Sequence, residues 1–249
     1  MSFDSLQPWW TVVAFFVTAL LAPFLSGARG RLSASFWALV PALSFLLFLT
    51  NAEAVWQGEI WKDSLPWAPT IGLSWDVWIA PVGLLLALLV SGIGTLVVLY
   101  AAAYLKGSDR IGRFLGFLFL FAGAMLGLAI TENLLVLFIF WELTSITSYL
   151  LIGHFHEKLE SRKSALDALL ITAGGGVAFL AGVILLGEVA GSYLLTDLVE
   201  ARDIIQAHAL YPAIFICVLL GAITKSAQFP FHFWLPGAMA APAPVSAYL

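Results

Sequence analysis

Asn133-Leu-Leu-Val-Leu-Phe-Ile-Phe-Trp-Glu-Leu-Thr-Ser-Ile-Thr-Ser-Tyr-Leu-Leu-Ile152 is an almost unbroken apolar run with one glutamate near its middle. As a helix, a run of about 20 such residues crosses a hydrocarbon core about 30 Å thick. Glu142 lies nine residues in, which at about 1.5 Å per residue puts it roughly 13 to 14 Å deep. From there its short side chain cannot snorkel to water. A bare charge at that depth costs at least a few kcal/mol, so an intramembrane acid points to ion movement. Ser145 and Tyr149, three and seven positions further on, share its helix face and are expected to line a polar seam. The alternative is a protonated glutamate that serves as a hydrogen-bond donor between helices.

The rest of the chain has the same character. Hydrophobic residues make up 61% of its 249 residues and charged residues 10%, against roughly 25% charged in a soluble domain. This is the composition of an integral membrane protein, and an all-α, polytopic transmembrane helical bundle is expected. The net charge of -4 is spread over loops with no basic stripe, so no nucleic-acid partner is expected. Seven spans are expected at about 9–25, 32–50, 78–105, 114–130, 133–152, 165–190 and 210–229. Pro41 should kink the second. With only Thr131 and Glu132 between them, the fourth and fifth should form a tight antiparallel hairpin. Residues 51–77 read as a folded extracytoplasmic loop, with Trp56, Trp61, Trp67 and Trp75 suited to an interfacial belt. Beyond Pro230 an eighth helix begins without finishing by Leu249. Residues 1–249 therefore read as one membrane domain, apparently truncated.

Asp4 precedes the first apolar run and Arg29 and Arg31 follow it, the reverse of a signal peptide, so an uncleaved helix is expected. Alternate loops hold Arg29, Arg31, Lys106, Arg110, Arg113, Lys158, Arg162 and Lys163, whereas the opposite loops hold only Lys62 and Arg202. Short loops rich in Lys and Arg stay cytoplasmic, which puts the amino terminus outside. Cys217 lies in an apolar run and suits packing. No Ser, His and acid group fall together at depth, and no metal-binding spacing is present, so neither hydrolase chemistry nor a metal or cofactor is expected.

The eleventh basic residue, Lys225, lies in Leu219-Leu-Gly-Ala-Ile-Thr-Lys-Ser-Ala-Gln-Phe-Pro230. Pro230 lacks a backbone donor and obstructs the preceding turn, so the seventh helix should be interrupted there and leave carbonyls free near the lysine. Such interruptions cluster at ion sites. The competing reading is a proline-terminated helix whose lysine snorkels to the inner surface, although Gln228 also calls for a polar lining. His232 suits either a proton relay or an interfacial position among aromatic residues. Asp167 and Glu188, near opposite ends of the sixth span, suit water boundaries or proton entry. His154 and His156 suit solvated or electrostatic roles in a charged loop. The Gly174-Gly175-Gly176 run lacks the Lys-Ser/Thr of a phosphate loop and suits close helix packing.

Trp141-Glu-Leu-Thr-Ser, Ser148-Tyr-Leu-Leu-Ile-Gly153, Gly221-Ala-Ile-Thr-Lys-Ser-Ala-Gln-Phe-Pro-Phe-His-Phe-Trp-Leu-Pro236 and Ala240-Ala-Pro-Ala-Pro-Val-Ser-Ala-Tyr-Leu249 together resemble the antiporter-like subunit family. That family includes the proton-pumping membrane subunits of respiratory complex I and the A and D subunits of Mrp-type sodium/proton antiporters. The wording Phe231-His-Phe-Trp-Leu-Pro236 and the glycine run resemble the A subunits best. The resemblance implies that Glu142 and Lys225 are the essential acid and base of proton translocation. It also implies partner subunits, a bacterial cell-membrane location, transport of protons and sodium, and a continuation of the chain beyond Leu249. The alternatives are a non-conducting assembly module and a redox-driven complex I subunit. Burial favours the neutral form of both groups and pairing favours the charged form, so a switchable Glu142–Lys225 pair could load and release protons.

Overall fold

The computed structural model describes residues 8–26, 33–68, 70 and 72–248. Asp4, Arg29, Arg31, Pro69 and Leu249, on which parts of the topology and truncation readings rest, lie outside them. The chain is mostly helical. Its principal helices are α1 (Trp9–Leu25), α2 (Leu39–Thr50), α4 (Pro81–Tyr104), α5 (Ile111–Ile130), α6 (Leu134–Ile152), α7 (Leu159–Ala190) and α10 (Tyr211–Lys225). Short helices fill the links: α3 (Ala52–Trp56), α8 (Leu195–Glu200), α9 (Arg202–Ala207), α11 (Trp234–Ala238) and α12 (Ala243–Ser246). Among the described residues, α4, α5, α6 with its short extension to Phe155, and α7 are long and apolar enough to cross a membrane, and three apolar helices are shorter.

Helix α5 lies at the centre, with Phe114, Leu115, Leu118, Phe119, Leu126 and Ile130 fully buried. Its small residues let neighbouring backbones approach, which substitutes in lipid for the missing hydrophobic drive between helices. A Cβ at Gly112 would lie 2.9 Å from the Ser26 carbonyl, and one at Gly116 would lie 2.8 Å from the Pro23 ring of α1. On the other side, the Phe140 ring of α6 fills the space beside Gly127. The tight α5–α6 hairpin is present, with residues 131–133 as its link.

That link is pinned by polar contacts. Asn133 caps α6 by accepting from the Leu135 and Val136 amides, and its side-chain amide donates to the Gly72 carbonyl and the Ser74 hydroxyl. Buried Glu132 accepts from the Thr196 amide and hydroxyl. Buried Asp76 accepts from the Ser64 and Ser74 hydroxyls. At the other end of the helices, Arg110 pairs with Glu157. The backbone N–H of Glu157, and then Arg110, hold that carboxyl below its ordinary range.

Four expectations need correction. The fold is not purely helical: residues 51–77 contain α3, and an antiparallel hairpin of β1 (Trp61–Ala68) and β2 (Leu73–Ile79) extends just past them. Within this segment Trp61 is buried, and Trp56 and Trp67 are exposed. Pro41 does not lie in the middle of a regular α-helix. A 3-10 turn (Ala34–Ala38) precedes α2, and Pro41 falls in the first turn of α2, where an absent N–H costs little. His154 is buried edge-on against Phe114 rather than solvated.

The fourth correction concerns α10, which ends at Lys225 and not near Pro230. Ala227 takes a left-handed φ of 51°, the Gln228 amide bonds the Ile223 carbonyl at 2.9 Å, and the Ala227 amide bonds the Thr224 carbonyl at 3.4 Å. These contacts form a Schellman cap, with alanine where glycine is usual. An alanine in this conformation costs about 1 to 2 kcal/mol. Ala227→Gly should therefore raise stability by about 0.5 to 1 kcal/mol after the added unfolded-state entropy is counted, read as a higher unfolding midpoint in detergent.

Candidate functional site

Lys225 is the last residue of α10, where the unpaired carbonyls of a helix end favour a cation. Its ammonium crosses to α6, donating to the Ser145 hydroxyl at 2.7 Å and to the Trp141 carbonyl at 3.1 Å. It also stands 5.4 Å from the centre of the Trp141 ring, within cation–π range. That ring is stacked at 4.9 Å on Phe179 of α7, which fixes the platform. Behind the lysine, the indole of Trp234 donates to the Thr224 carbonyl at 3.0 Å and satisfies one of the carbonyls at the helix end.

Glu142 points elsewhere. Its Oε1 is buried against α7 at Gly176 and makes no hydrogen bond within the protein. Among the described residues, the ion pairs within 4 Å join Arg110 or His156 to Glu157 and Arg202 to Asp203, so Glu142 and Lys225 are separated in this structure.

Helix α7 packs against both α6 and α10, and its glycines let both approach closely. A Cβ at Gly175 would lie 1.7 Å from the Thr224 hydroxyl of α10, and one at Gly176 would lie 1.9 Å from Glu142 Oε1. The packing role expected for the glycine run is thus observed at Gly175 and Gly176, while Gly174 faces open space.

A cavity of about 310 Å³ opens beside Lys225, lined on its polar side by Thr144, Ser145, Ser148 and Thr172. The hydroxyls of Thr144, Ser148 and Thr172 donate to carbonyls of their own helices at 2.7 to 2.8 Å, leaving oxygen lone pairs to face the cavity. Helical spacing predicts Ser145 at this site. It does not single out Thr144, Ser148, Thr172 or Trp234, although the four-residue spacings of Thr144 with Ser148 and of Thr172 with Gly176 are the periodicity that could find the first three.

The other candidates are not brought to this cavity. Tyr149 packs against the hydrophobic core, exposed Gln228 donates to the nearby Ser226 carbonyl, and exposed His232 stacks on Phe229. Asp167 is half-buried and Glu188 exposed, both on α7. Among the described residues, no three His, Cys, Asp or Glu side chains group as a metal site would need.

Comparisons with known proteins agree with this architecture. Residues 131–249 match the family described as NADH:quinone oxidoreductase/Mrp antiporter, TM, and residues 67–115 match the one described as NADH-Ubiquinone oxidoreductase (complex I), chain 5 N-terminus. The chain is 42% identical over 242 residues to the Na(+)/H(+) antiporter A subunit of Alkalihalophilus pseudofirmus, covering 96% of this chain and 30% of that protein. It is 43% identical to the probable K(+)/H(+) antiporter A/B subunit of Rhizobium meliloti, covering 94% of this chain and 23% of that one. The chain thus spans less than a third of the length of these relatives. Among solved structures it resembles a chain of the Mrp complex from Dietzia sp., with a TM-score of 0.81 and 28% identity, covering 98% of this chain and 26% of that one. A chain of the archaeal membrane-bound sulfane sulfur reductase shares the fold at a TM-score of 0.81 and 21% identity, covering 95% of this chain and 48% of that one.

The Ser145 hydroxyl is one of two oxygens that accept from the ammonium. Ser145→Ala should cost about 1.5 to 3 kcal/mol, the worth of a hydrogen bond to a charged group, and Ser145→Thr should cost less because it keeps the hydroxyl. Unfolding midpoints of the two variants in detergent check this.

Proposed function

We propose that this chain, of which residues 131–249 match the NADH:quinone oxidoreductase/Mrp antiporter membrane family, belongs to that family and is the amino-terminal, proton-translocating part of one subunit in a multisubunit sodium/proton antiporter. One observation carries the mechanism: a lysine at a broken helix end reaches a second helix within the same apolar bundle, close to an acid that is not bonded to it. With Lys225 held by Ser145 and the Trp141 carbonyl, Glu142 is free to take a proton from the hydrated side. Transfer of that proton to water in the cavity beside Lys225 leaves a carboxylate that draws the ammonium away from Ser145. The ion pair forms, and the lysine's former contacts are free to order water in the cavity. Reprotonation of Glu142 from the hydrated side then breaks the pair and returns the ammonium to Ser145.

Each half of this cycle exchanges one set of polar contacts for another. In the open arrangement two hydrogen bonds and the Trp141 ring offset part of the several kcal/mol that an isolated charge would cost in a low-dielectric setting. In this reading seven helices cross the bacterial cell membrane with the amino terminus outside, and the hairpin within residues 51–79 lies on the outer face. The chain works beside other antiporter subunits, with protons and sodium as the transported ions. A redox-driven pump is the second reading, favoured by the complex I description that matches residues 67–115.

Two measurements test the proposal. In everted vesicles carrying the complete antiporter, Glu142→Ala and Lys225→Ala should each lower sodium-driven proton exchange by about 100-fold, the scale of a lost proton-transfer group, while the complex still assembles. Unchanged exchange would remove both residues from the pathway, and dependence on NADH and quinone would favour the redox pump. For orientation, Thr70→Cys in intact cells should react with a membrane-impermeant maleimide added outside. Reaction only after permeabilisation would reverse the assigned topology.

A further inference from the structure

Gly175 and Gly176 are neighbours on α7, but a side chain at each would meet something different. At Gly175 the added Cβ would strike Thr224, whose Oγ1 lies 1.7 Å away and Cβ 2.6 Å away. Thr224 is β-branched and tied through its hydroxyl to the Leu220 and Gly221 carbonyls at 2.9 Å, so it cannot turn aside. A methyl at Gly175 would therefore drive α7 and α10 apart. At Gly176 the obstacle is the free end of a flexible side chain: Glu142 Oε1 lies 1.9 Å away and its carboxyl carbon 2.8 Å away. A methyl there would move the carboxyl group and leave the helices in place.

The carboxyl oxygen seated in this notch is fully buried and receives no hydrogen bond from the protein. An ionised oxygen held so would carry a desolvation cost of several kcal/mol, whereas a neutral acid carries far less. Lys225, meanwhile, is satisfied without the glutamate by Ser145, the Trp141 carbonyl and the Trp141 ring. Acid and base each have a seat of their own.

We propose that Gly176 is a positioning residue, and that the notch it leaves in α7 is the seat that receives the neutral Glu142 carboxyl group whenever the glutamate is unpaired from Lys225. The inference rests on the reading of Glu142 and Lys225 as the translocating pair. Filling the notch forces the carboxyl toward the lysine, favours the paired and ionised arrangement, and slows the cycle at the opening step. Gly176 thus sets how readily the pair opens, without itself touching a proton.

The test uses the complete antiporter in everted vesicles, with the variants Gly176→Ala, Gly174→Ala, Glu142→Asp and the double variant Gly176→Ala/Glu142→Asp. Two quantities are read. One is sodium-driven proton exchange. The other is the rate at which an apolar carbodiimide, which reacts with the protonated acid, labels the side chain at position 142, a readout that needs no turnover. Gly176→Ala should lower both by about tenfold, a shift of about 1.4 kcal/mol between the two arrangements. Gly174→Ala, in open space, should change neither. The aspartate is one methylene shorter and withdraws from the added methyl, so in the Glu142→Asp background Gly176→Ala should have no further effect on labelling.

Equal loss in both backgrounds would overturn the proposal, as would wild-type labelling of the Gly176→Ala protein. If Gly176→Ala prevents assembly only when Glu142 is present, the methyl has displaced the helices rather than the carboxyl group, and the proposal falls. If it prevents assembly in both backgrounds, Gly176 is a packing residue and the proposal falls. The underlying reading fails separately, through unchanged exchange by Glu142→Ala or Lys225→Ala.

Discussion

The approach of three helices at Gly175 and Gly176 is the constraint on which the rest of this structure depends. Helix α7 offers bare backbone to α6 on one side and α10 on the other, so an acid from one and a base from the other share a single layer of the bundle. Lipid supplies no hydrophobic force between helices, and such closeness has to come from small residues and polar contacts. A side chain at Gly175 would separate α7 from α10, and Lys225 would lose its reach to Ser145 and Trp141. The stacked Trp141 and Phe179 rings complete the layer by fixing the surface over which the ammonium lies.

The end of α10 supplies the second half of the arrangement. Because the helix stops at Lys225, the ammonium stands where helix carbonyls lack intrahelical partners, and that partial negative charge helps hold a cation in an apolar setting. The Schellman cap at Ala227 and the Trp234 indole then satisfy the Thr224 carbonyl. The break is a built joint.

Buried acids elsewhere sharpen the meaning of Glu142. Glu132 and Asp76 are more deeply buried, but each is met by hydroxyl donors and ties together the hairpin, the α5–α6 link and the start of α8. A carboxylate satisfied in this way is structural. Glu142, like Asp63 of the hairpin, has a buried oxygen that the protein leaves without a donor, and the proposed function gives Glu142 alone an environment that changes.

Hydropathy alone determined that the chain is a helical membrane protein and that Glu142 and Lys225 are its costly charges, because a charge inside a 20-residue apolar run is visible without coordinates. Helical periodicity likewise placed Ser145 on the glutamate's face, and the glycine run announced close packing. The β-hairpin escaped notice because a tryptophan-rich, proline-rich segment reads equally well as an interfacial loop. The true end of α10 escaped because nothing about Ala227 signals a left-handed residue. Only the tertiary structure decided that the acid and base are parted, with the lysine on Ser145 and the glutamate against Gly176. Which partner a buried side chain meets depends on neighbouring helices, and a one-dimensional pattern of polarity carries the depth of a charge but not the company it keeps.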